Sequence, residues 1–298
     1  MDETGATGRS VFYSAQDGLK LHARVHGTAH PERLPVVCLA GLTRNARDFD
    51  ALAAILAGDP ERPRQVIAFD YRGRGRSDRD PDWRNYEVLV ETSDIIAGLA
   101  VLGIEHAAFI GTSRGGLIIH ALAAMRPALM KAAVLNDIGP VVEGAGLAQI
   151  KAYLERAPRP KSIAEAVAIQ KATSAAGFPA LDDTDWERMV RSYYREDDGR
   201  LVPDFDPALL RSVTGLDLGK PLPVFWPQFM GLAGIPVLAI RGRNSSLLSA
   251  ATLAEMERRH PALEAVTVEG QGHAPLLETG ELPKRIAAFL AKADRTLH

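Results

Sequence analysis

The spacing of hydrophobic and polar residues along the chain distinguishes two kinds of strand. Residues 11–26 contain the turn sequence Gln16-Asp17-Gly18, followed by alternating apolar and polar residues, so this segment is predicted to form a β-hairpin. The later strand candidates are short, almost unbroken apolar runs, at 36–40, 66–70, 107–111, 132–136 and 236–240. Such runs indicate strands that are buried on both faces, as in a parallel sheet covered by helices.

Helical patterns lie between these runs and are followed by a last strand near 265–268 and a helix near 282–292; the earlier patterns are at 86–102, 114–126 and 250–259. This alternation predicts an open α/β sheet. It is interrupted at 139–233, where no strong strand pattern occurs and helical patterns are found at 145–156, 162–174 and 184–195. Because so long a segment is implausible as bare coil, we expect a helical cap at 139–233, inserted into a core formed by 1–138 and 234–298.

Composition and charge narrow the classes of partner. The formal net charge of −2 gives no general attraction to nucleic acid or to an anionic membrane, and neither is expected as a partner. The N-terminus lacks a basic region followed by an apolar one, and no apolar run reaches about 18 residues, so a cytoplasmic location is expected. The single cysteine, Cys38, cannot form an intramolecular disulfide and is predicted to be a buried apolar residue.

The clearest chemical motif is Gly111-Thr112-Ser113-Arg114-Gly115, which matches G-x-S-x-G. A buried strand pattern precedes it and a helix pattern follows it, which is the context in which this motif carries a nucleophilic serine. A sharp turn presents the hydroxyl clear of the sheet, and the start of the next helix favours developing negative charge. We therefore predict that Ser113 is a nucleophile; the alternative is an ordinary tight turn.

A serine hydroxyl is a weak nucleophile and needs a base. His273 follows the last predicted strand in the glycine-flanked sequence Gly272-His273, so it is the predicted base, with a surface loop histidine as the alternative. The oxyanion that forms during acyl transfer requires backbone N–H donors, each typically worth ~3–4 kcal/mol. The residue after the nucleophile, Arg114, and the loop after the 36–40 strand, with Leu42, are predicted to supply them.

These motifs together resemble the α/β-hydrolase superfamily, and the resemblance extends over almost the whole chain. Besides the serine motif it rests on Ala40-Gly41-Leu42, on Gly272-His273 and on the arginine-rich segment 69–78. The resemblance implies a sheet of eight mostly parallel strands flanked by helices, with 139–233 as the variable cap and the active site between core and cap. It implies a serine esterase-like enzyme and leaves the substrate open.

The chain departs from many members of this superfamily in the third residue of the catalytic triad. Those members carry an aspartate after the strand that follows the cap, near position 246, where this chain has Ser246. Asp137, at the end of the strand after the nucleophile strand, resembles the acid of some other α/β-hydrolases, and strand ends on this side of the sheet can reach the histidine. We predict Asp137 as the acid; the alternative is a turn-capping aspartate, with Asn244 or no third member.

Three other features bear on ligands. Arg44, just past the oxyanion loop, is a candidate for binding a substrate carboxylate, although a solvated loop residue fits as well; Trp226 is a second candidate, with packing as the alternative. The arginines of segment 69–78 suggest an internal charge network, because the spacing of its glycines does not fit a dinucleotide site. The sequence contains no metal or nucleotide motif, so neither a metal nor a cofactor is expected.

Taken together, the residues predict a hydrolase that cleaves a carboxylic ester or lactone of a small molecule through an acyl-enzyme on Ser113. The same triad serves amide or C–C bond cleavage and perhydrolysis, and these stay open. A non-catalytic ligand-binding relative is a further alternative, favoured by the missing acid at 246. The protein is expected to be a monomer or a homodimer.

Overall fold

An eight-stranded sheet with helices on both faces organises the protein. The computed structural model describes residues 8–155, 159–215, 217 and 219–297. Within the sheet the strands run in the order β1-β2-β4-β3-β5-β6-β9-β10, and the two pairings that involve β2 are antiparallel while the others are parallel. These strands are β1 (Arg9–Ser14), β2 (Lys20–His26), β3 (Val36–Leu39), β4 (Val66–Asp70), β5 (Ala107–Thr112), β6 (Met130–Asn136), β9 (Val237–Gly242) and β10 (Leu263–Val268).

Helices connect the strands. Within the described residues they are α1 (Asp50–Ala57), α2 (Val88–Val101), α3 (Arg114–Met125), α4 (Gly144–Glu155), α5 (Ile163–Ser174), α6 (Asp183–Tyr193), α7 (Arg211–Thr214), α8 (Trp226–Met230), α9 (Ala250–Arg259) and α10 (Leu282–Ala293). None of these is both long enough and apolar enough to span a membrane.

The central strands are buried on both faces, as their unbroken apolar runs predict. Along β3, Val37 and Leu39 belong to a core with α2, α3 and α9, whereas Val36 and Cys38 belong to a second core with α1 and α10. Successive side chains of one strand therefore supply two cores, one on each face of the sheet. The predicted fold class, an eight-stranded and mostly parallel α/β-hydrolase sheet flanked by helices, is confirmed.

The segment between β6 and β9 contains α4 to α8 and also a hairpin. The three helices expected there are present within a few residues of the predicted positions, although residue 156 lies outside the described residues. The hairpin, β7 (Tyr194–Asp197) and β8 (Arg200–Pro203), was not predicted. Its turn is Asp198-Gly199, with both φ values positive, which is the strongest sequence signal for a two-residue hairpin.

Backbone hydrogen bonds join this inserted segment to the sheet. The N–H of Gly75, in the loop after β4, donates to the carbonyl of Asp204 at 3.1 Å, and the N–H of Asp206 donates to the carbonyl of Gly73 at 2.7 Å. The Tyr86 hydroxyl adds a hydrogen bond to the Asp206 carboxylate at 2.5 Å. The insertion is thus fixed to the loop after β4 in the middle of its length as well as at its two ends.

Candidate active site

Ser113 lies in a sharp turn between β5 and α3. Its φ of 51° and ψ of −111° fall in a region that costs a non-glycine residue about 1–3 kcal/mol. The Ser113 N–H donates to the carbonyl of Asn136, at the end of the neighbouring strand β6, at 3.0 Å. The surrounding backbone therefore holds the serine in a conformation that a free chain would avoid.

Three glycines allow this turn to form. A Cβ atom on Gly115 would lie 2.0 Å from the carbonyl oxygen of Leu39, and one on Gly116 would lie 2.1 Å from the side chain of Ile138. A Cβ atom on Gly111 would lie 2.6 Å from the backbone of Gly115. These distances are far below van der Waals contact, so the approach of α3 to the sheet excludes any side chain at these positions.

The structure brings Ser113, His273 and Asp137 into one hydrogen-bonded chain. The His273 Nε2 lies 2.9 Å from the Ser113 Oγ, and the Nδ1 lies 2.7 Å from the Asp137 Oδ2. Because an ionised carboxylate only accepts, the Nδ1 carries the proton of that pair and the Nε2 is free to accept the serine proton. The arrangement can therefore deprotonate the hydroxyl as it attacks a carbonyl carbon.

Asp137 is held by four hydrogen bonds. It follows β6 directly, with a φ of 54°, and its N–H donates to the carbonyl of Ile240 at 2.7 Å. Its fully buried carboxylate accepts from the Gly242 N–H at 2.9 Å and from the Ser245 hydroxyl at 2.5 Å, in addition to His273. The loop after β9 thus supplies hydrogen-bond donors to a carboxylate that comes from the loop after β6.

The other residues considered as the third triad member form hydrogen bonds elsewhere. The Asn244 side-chain amide donates to the carbonyl of Gly177 at 3.1 Å, and the Ser246 hydroxyl bonds Gln149 at 2.8 Å. Of the candidates weighed in the sequence, the residue in contact with the His273 Nδ1 is Asp137. Ser245, which supports this carboxylate, was missed, because its neighbour Ser246 occupies the position that the resemblance emphasised.

Leu42 and Arg114 are the two residues predicted to supply backbone donors to an oxyanion. Leu42 follows β3 and lines the same cavity as Ser113 and His273. Arg114 is the first residue of α3, so its N–H has no acceptor within the helix. Among the described residues neither N–H is used in another hydrogen bond, which leaves both available to an oxyanion.

A cavity of about 1480 Å³ extends from Ser113 to the inserted segment. On the insertion side it is lined by Tyr153, Tyr194 and Arg188, among others. Burial raises the pKa of Tyr194 to about 12, so its hydroxyl is neutral at neutral pH. Burial also raises the pKa of Glu278, which lines the cavity and pairs with Arg188 at 3.0 Å.

Arg44 lines this cavity, and two neighbours fix its side chain. Its Nε donates to the Asp48 carboxylate at 2.8 Å, and its guanidinium lies 3.3 Å from the ring centroid of Tyr193. Within the described part of the chain its two terminal nitrogens make no hydrogen bond. The guanidinium therefore has two donor groups free in the cavity and is oriented before any ligand binds.

Trp226 lies outside the lining of the cavity. Its ring packs edge-on against Phe229 with centroids 5.7 Å apart, and the Arg259 guanidinium lies 4.1 Å from its centroid. It thus packs at the junction of insertion and core, and the structure does not bring it to Ser113. No cluster of three or more potential metal ligands occurs in the described ranges.

Asn136 is a further residue that the sequence did not single out. Its side-chain amide donates to the Thr112 hydroxyl at 3.1 Å and to the carbonyl of Pro275 at 3.0 Å. It therefore ties the loop that carries His273 to the strand that precedes Ser113. No sequence signal marks this role, because the contact joins residues that are far apart in the chain.

The sequence is similar to those of known hydrolases. The chain is 34% identical to the 3-hydroxybutyrate-oligomer hydrolase of Cupriavidus necator, over 80% of this chain and 82% of that protein. It is 30% identical to the 2-(acetamidomethylene)succinate hydrolase of Mesorhizobium japonicum, over 78% of this chain and 79% of that protein.

A solved structure is similar over nearly the whole chain. The crystal structure of an alpha/beta hydrolase from Novosphingobium aromaticivorans is 38% identical and superposes with a TM-score of 0.88, covering 96% of this chain and 99% of that one. The model of the alpha/beta hydrolase family matches residues 36–289. The protein therefore belongs to the alpha/beta hydrolase family.

Proposed function

We propose that the protein is a serine hydrolase that cleaves a carboxylic ester or lactone of a small molecule through an acyl-enzyme on Ser113. The observation that carries this proposal is the hydrogen-bonded chain from the Ser113 Oγ through His273 to Asp137, at 2.9 and 2.7 Å. These distances are those required of a nucleophile, its base and the group that orients the base.

In the proposed reaction the Ser113 Oγ attacks the ester carbonyl carbon while its proton passes to the His273 Nε2. The N–H groups of Leu42 and Arg114 stabilise the oxyanion of the tetrahedral intermediate. Collapse breaks the bond to the leaving alcohol, which takes the proton from the Nε2. Water then gives a proton to the His273 Nε2 as it attacks the acyl carbon. The bond between this carbon and the Ser113 Oγ breaks, the Oγ takes the proton back from the Nε2, and the carboxylic acid leaves.

Asp137 is the third member of the proposed triad. A carboxylate beside the Nδ1 stabilises the imidazolium that forms when His273 takes the serine proton. The Gly242 N–H and the Ser245 hydroxyl hold this carboxylate in place. With Asp137 held in this way, the triad needs no acid in the loop after β9, and the absence of one at position 246 no longer argues for a non-catalytic relative.

The cavity supports a substrate that carries a free carboxylate besides the scissile ester. Arg44 offers two free donor groups, and a guanidinium binds a carboxylate through paired hydrogen bonds. The names of the two relatives above, a 3-hydroxybutyrate-oligomer hydrolase and a 2-(acetamidomethylene)succinate hydrolase, also denote carboxylates. Oligoesters of short hydroxy acids are thus the first substrates to test. Trp226 has no part in this proposal.

Other bonds stay open to the same triad. The ester is favoured because an oligomer of a hydroxy acid is joined by esters, but an amide, a C–C bond or transfer to peroxide uses the same serine chemistry. Whether the protein is a monomer or a homodimer, and whether it is cytoplasmic, remain predictions from the sequence.

Labelling with a fluorophosphonate at neutral pH tests the proposal without knowledge of the substrate. We expect rapid modification of Ser113 in the wild type, none at this residue in Ser113→Ala, and strongly slowed modification in Asp137→Asn, with peptide mapping to locate the adduct. Wild-type protein that resists labelling would overturn the hydrolase mechanism and favour a ligand-binding role. Release of hydroxy acid from oligoesters, set against amide analogues, then identifies the bond.

A further inference from the structure

A buried cluster of three charged residues lies behind the proposed oxyanion donors. The Glu91 carboxylate, on α2, accepts from the Nη1 of Arg74 at 2.7 Å and from the Nε of Arg114 at 2.6 Å. Both side chains of the Glu91–Arg74 pair are fully buried, and that of Arg114 is 12% exposed. The cluster therefore links three separate parts of the chain, namely α2, the loop after β4 and the start of α3.

Both proposed donors belong to or touch this cluster. Arg114 carries one of the two N–H groups, and its side chain is held by Glu91. The Nε of Arg74 donates to the carbonyl oxygen of Leu42, which carries the other N–H group, at 2.9 Å. Glu91 thus connects the two donors through one guanidinium on each side.

The loop that contains Leu42 depends on such contacts for its shape. It follows the end of β3 and pairs with no strand in the part of the chain that the structure describes. The Tyr71 hydroxyl donates to the carbonyl of Ala40 at 3.0 Å, and Arg74 holds the carbonyl of Leu42. The peptide that carries the Leu42 N–H therefore lies between two carbonyls that are fixed by the loop after β4.

The charges of the cluster do not cancel. Two guanidinium groups face one carboxylate, which gives a net charge of +1 in a buried position. Burial alone would raise the pKa of Glu91, but Arg114 and Arg74 outweigh it and hold this pKa below its usual value. Glu91 is thus ionised at neutral pH, and the remaining positive charge favours an oxyanion nearby.

We propose that Glu91 and Arg74 are positioning residues that hold the N–H groups of Leu42 and Arg114 at the spacing an oxyanion requires. The inference rests on the proposed acyl-transfer function. Neither residue touches the substrate; both act through the loop after β3 and the first residue of α3. Their loss should weaken binding of the transition state and leave binding of the ground-state substrate unchanged.

The chain offers a matched control for a purely structural role. Arg64 and Asp294 form another buried pair, with two hydrogen bonds at 2.9 and 2.6 Å, and Arg64 is 2% exposed. Arg64 precedes β4, so this pair lies at the opposite end of that strand from Arg74. Asp294→Asn removes a carboxylate from a buried arginine, as Glu91→Gln does, without touching either donor.

The test compares Glu91→Gln with Asp294→Asn. The measurements are kcat and KM on an ester that the wild type hydrolyses, inhibition by a trifluoromethyl ketone, which forms a tetrahedral adduct on serine, and stability in urea. We expect Glu91→Gln to lower kcat about 10- to 100-fold, less than removal of a whole donor, with KM almost unchanged and inhibition weakened in parallel. Asp294→Asn should lose stability and keep both kcat and inhibition.

The outcomes separate the inference from the function on which it rests. A wild type that fluorophosphonate does not label overturns the function itself. If the wild type is labelled and folded Glu91→Gln has the same kcat and the same inhibition as the wild type, this inference alone is overturned. A loss of kcat in Asp294→Asn as large as that in Glu91→Gln overturns it too. Should Glu91→Gln not fold, Arg114→Met removes one tether and keeps its N–H; we expect the same loss of kcat, partly restored in Arg114→Lys.

Discussion

The two walls of the cavity are built in different ways. On the sheet side Ser113 and Asp137 follow the ends of parallel strands, in backbone conformations fixed by neighbouring strands and glycines. On the insertion side the lining includes long side chains, among them Tyr193, which stacks on the Arg44 guanidinium, and Arg188, which pairs with Glu278. We expect the groups at the strand ends to set the rate of the reaction and the long side chains of the cavity lining, Arg44 included, to set the fit of the substrate. Variants should therefore separate into effects on kcat and on KM.

The largest effect is expected from Asp137→Asn. The neutral amide cannot stabilise the imidazolium, and its NH2 group cannot accept the hydrogen bonds that the carboxylate accepts. We therefore expect kcat to fall about 10,000-fold with KM little changed. Steady-state kinetics on an active ester measures this. Asp94→Asn, which removes another buried carboxylate from an arginine, serves as the control and should keep kcat within about threefold. A comparable loss in both variants would contradict a specific role for Asp137.

The junction between the walls should respond to pH. Burial lowers the pKa of His120 from 6.5 to about 4; this residue lies on α3 and packs against Phe225 and Phe229 of the insertion. As the pH falls, His120 takes up a proton at a higher pH in the unfolded chain than in the folded protein. The free energy of unfolding should therefore fall between about pH 6.5 and about pH 4, by ~3 kcal/mol in total for this group.

Urea unfolding at a series of pH values measures this loss. Burial also lowers the pKa of His260, which contributes in the same direction. His120→Gln cannot take up the proton, so the difference between this variant and the wild type isolates the His120 contribution. If the free energy of unfolding depends on pH in the same way in both proteins, neutral His120 does not stabilise the junction.

Arg44→Gln should raise KM for an ester that carries a free carboxylate about 10- to 100-fold, because a charged hydrogen bond is lost. The kcat should change little, since Arg44 is not in the hydrogen-bonded chain. The uncharged methyl ester of the same substrate is the internal control, with KM expected to be the same in both proteins. A similar rise for both esters would mean that Arg44 shapes the cavity and does not bind the carboxylate.

The smallest effect is expected from Ser245→Ala. It removes one of the donors to the Asp137 carboxylate and leaves the Gly242 N–H and His273 in place. We expect kcat to fall about threefold to tenfold with KM unchanged. At the neighbouring position the Ser246 hydroxyl donates to Gln149 of the insertion instead, so Ser246→Ala should keep kcat. The reverse order would place the support of the acid at Ser246.

The features that could be predicted from the sequence are mainly those determined by residues close together in the chain. Buried strands and the turn at Ser113 follow from residues that are adjacent in the chain, because burial on both faces and a crowded elbow each restrict a short run of residues. The position of the acid was harder to predict. The contact of Asp137 with Gly242 and Ser245 depends on the pairing of β6 with β9, which the insertion separates in sequence.

The partners of some charged residues were hard to predict for the same reason, since they are far apart in the chain. The arginines of segment 69–78 were interpreted as an internal network. The contact of Arg74 with Glu91 depends on how α2 packs, so the link from Arg74 through Glu91 to Arg114 was not visible. The hairpin at Asp198-Gly199 was a different kind of omission. Its turn signal was present in the sequence, and the neighbouring helical pattern and charged strands masked it.

The hydrogen bonds between the insertion and the loop after β4 bear on chimeric enzymes. Two of them join backbone groups of Asp204 and Asp206 to those of Gly75 and Gly73, so these two depend on the path of the chain and not on its side chains. An insertion transplanted from a relative would therefore keep these two hydrogen bonds if it brought an extended segment to the same place, while the side-chain contacts of Asp204 and Asp206 would depend on its sequence. Substrate selectivity can thus be changed by exchanging the whole insertion, while Gly73 and Gly75 of the core are kept.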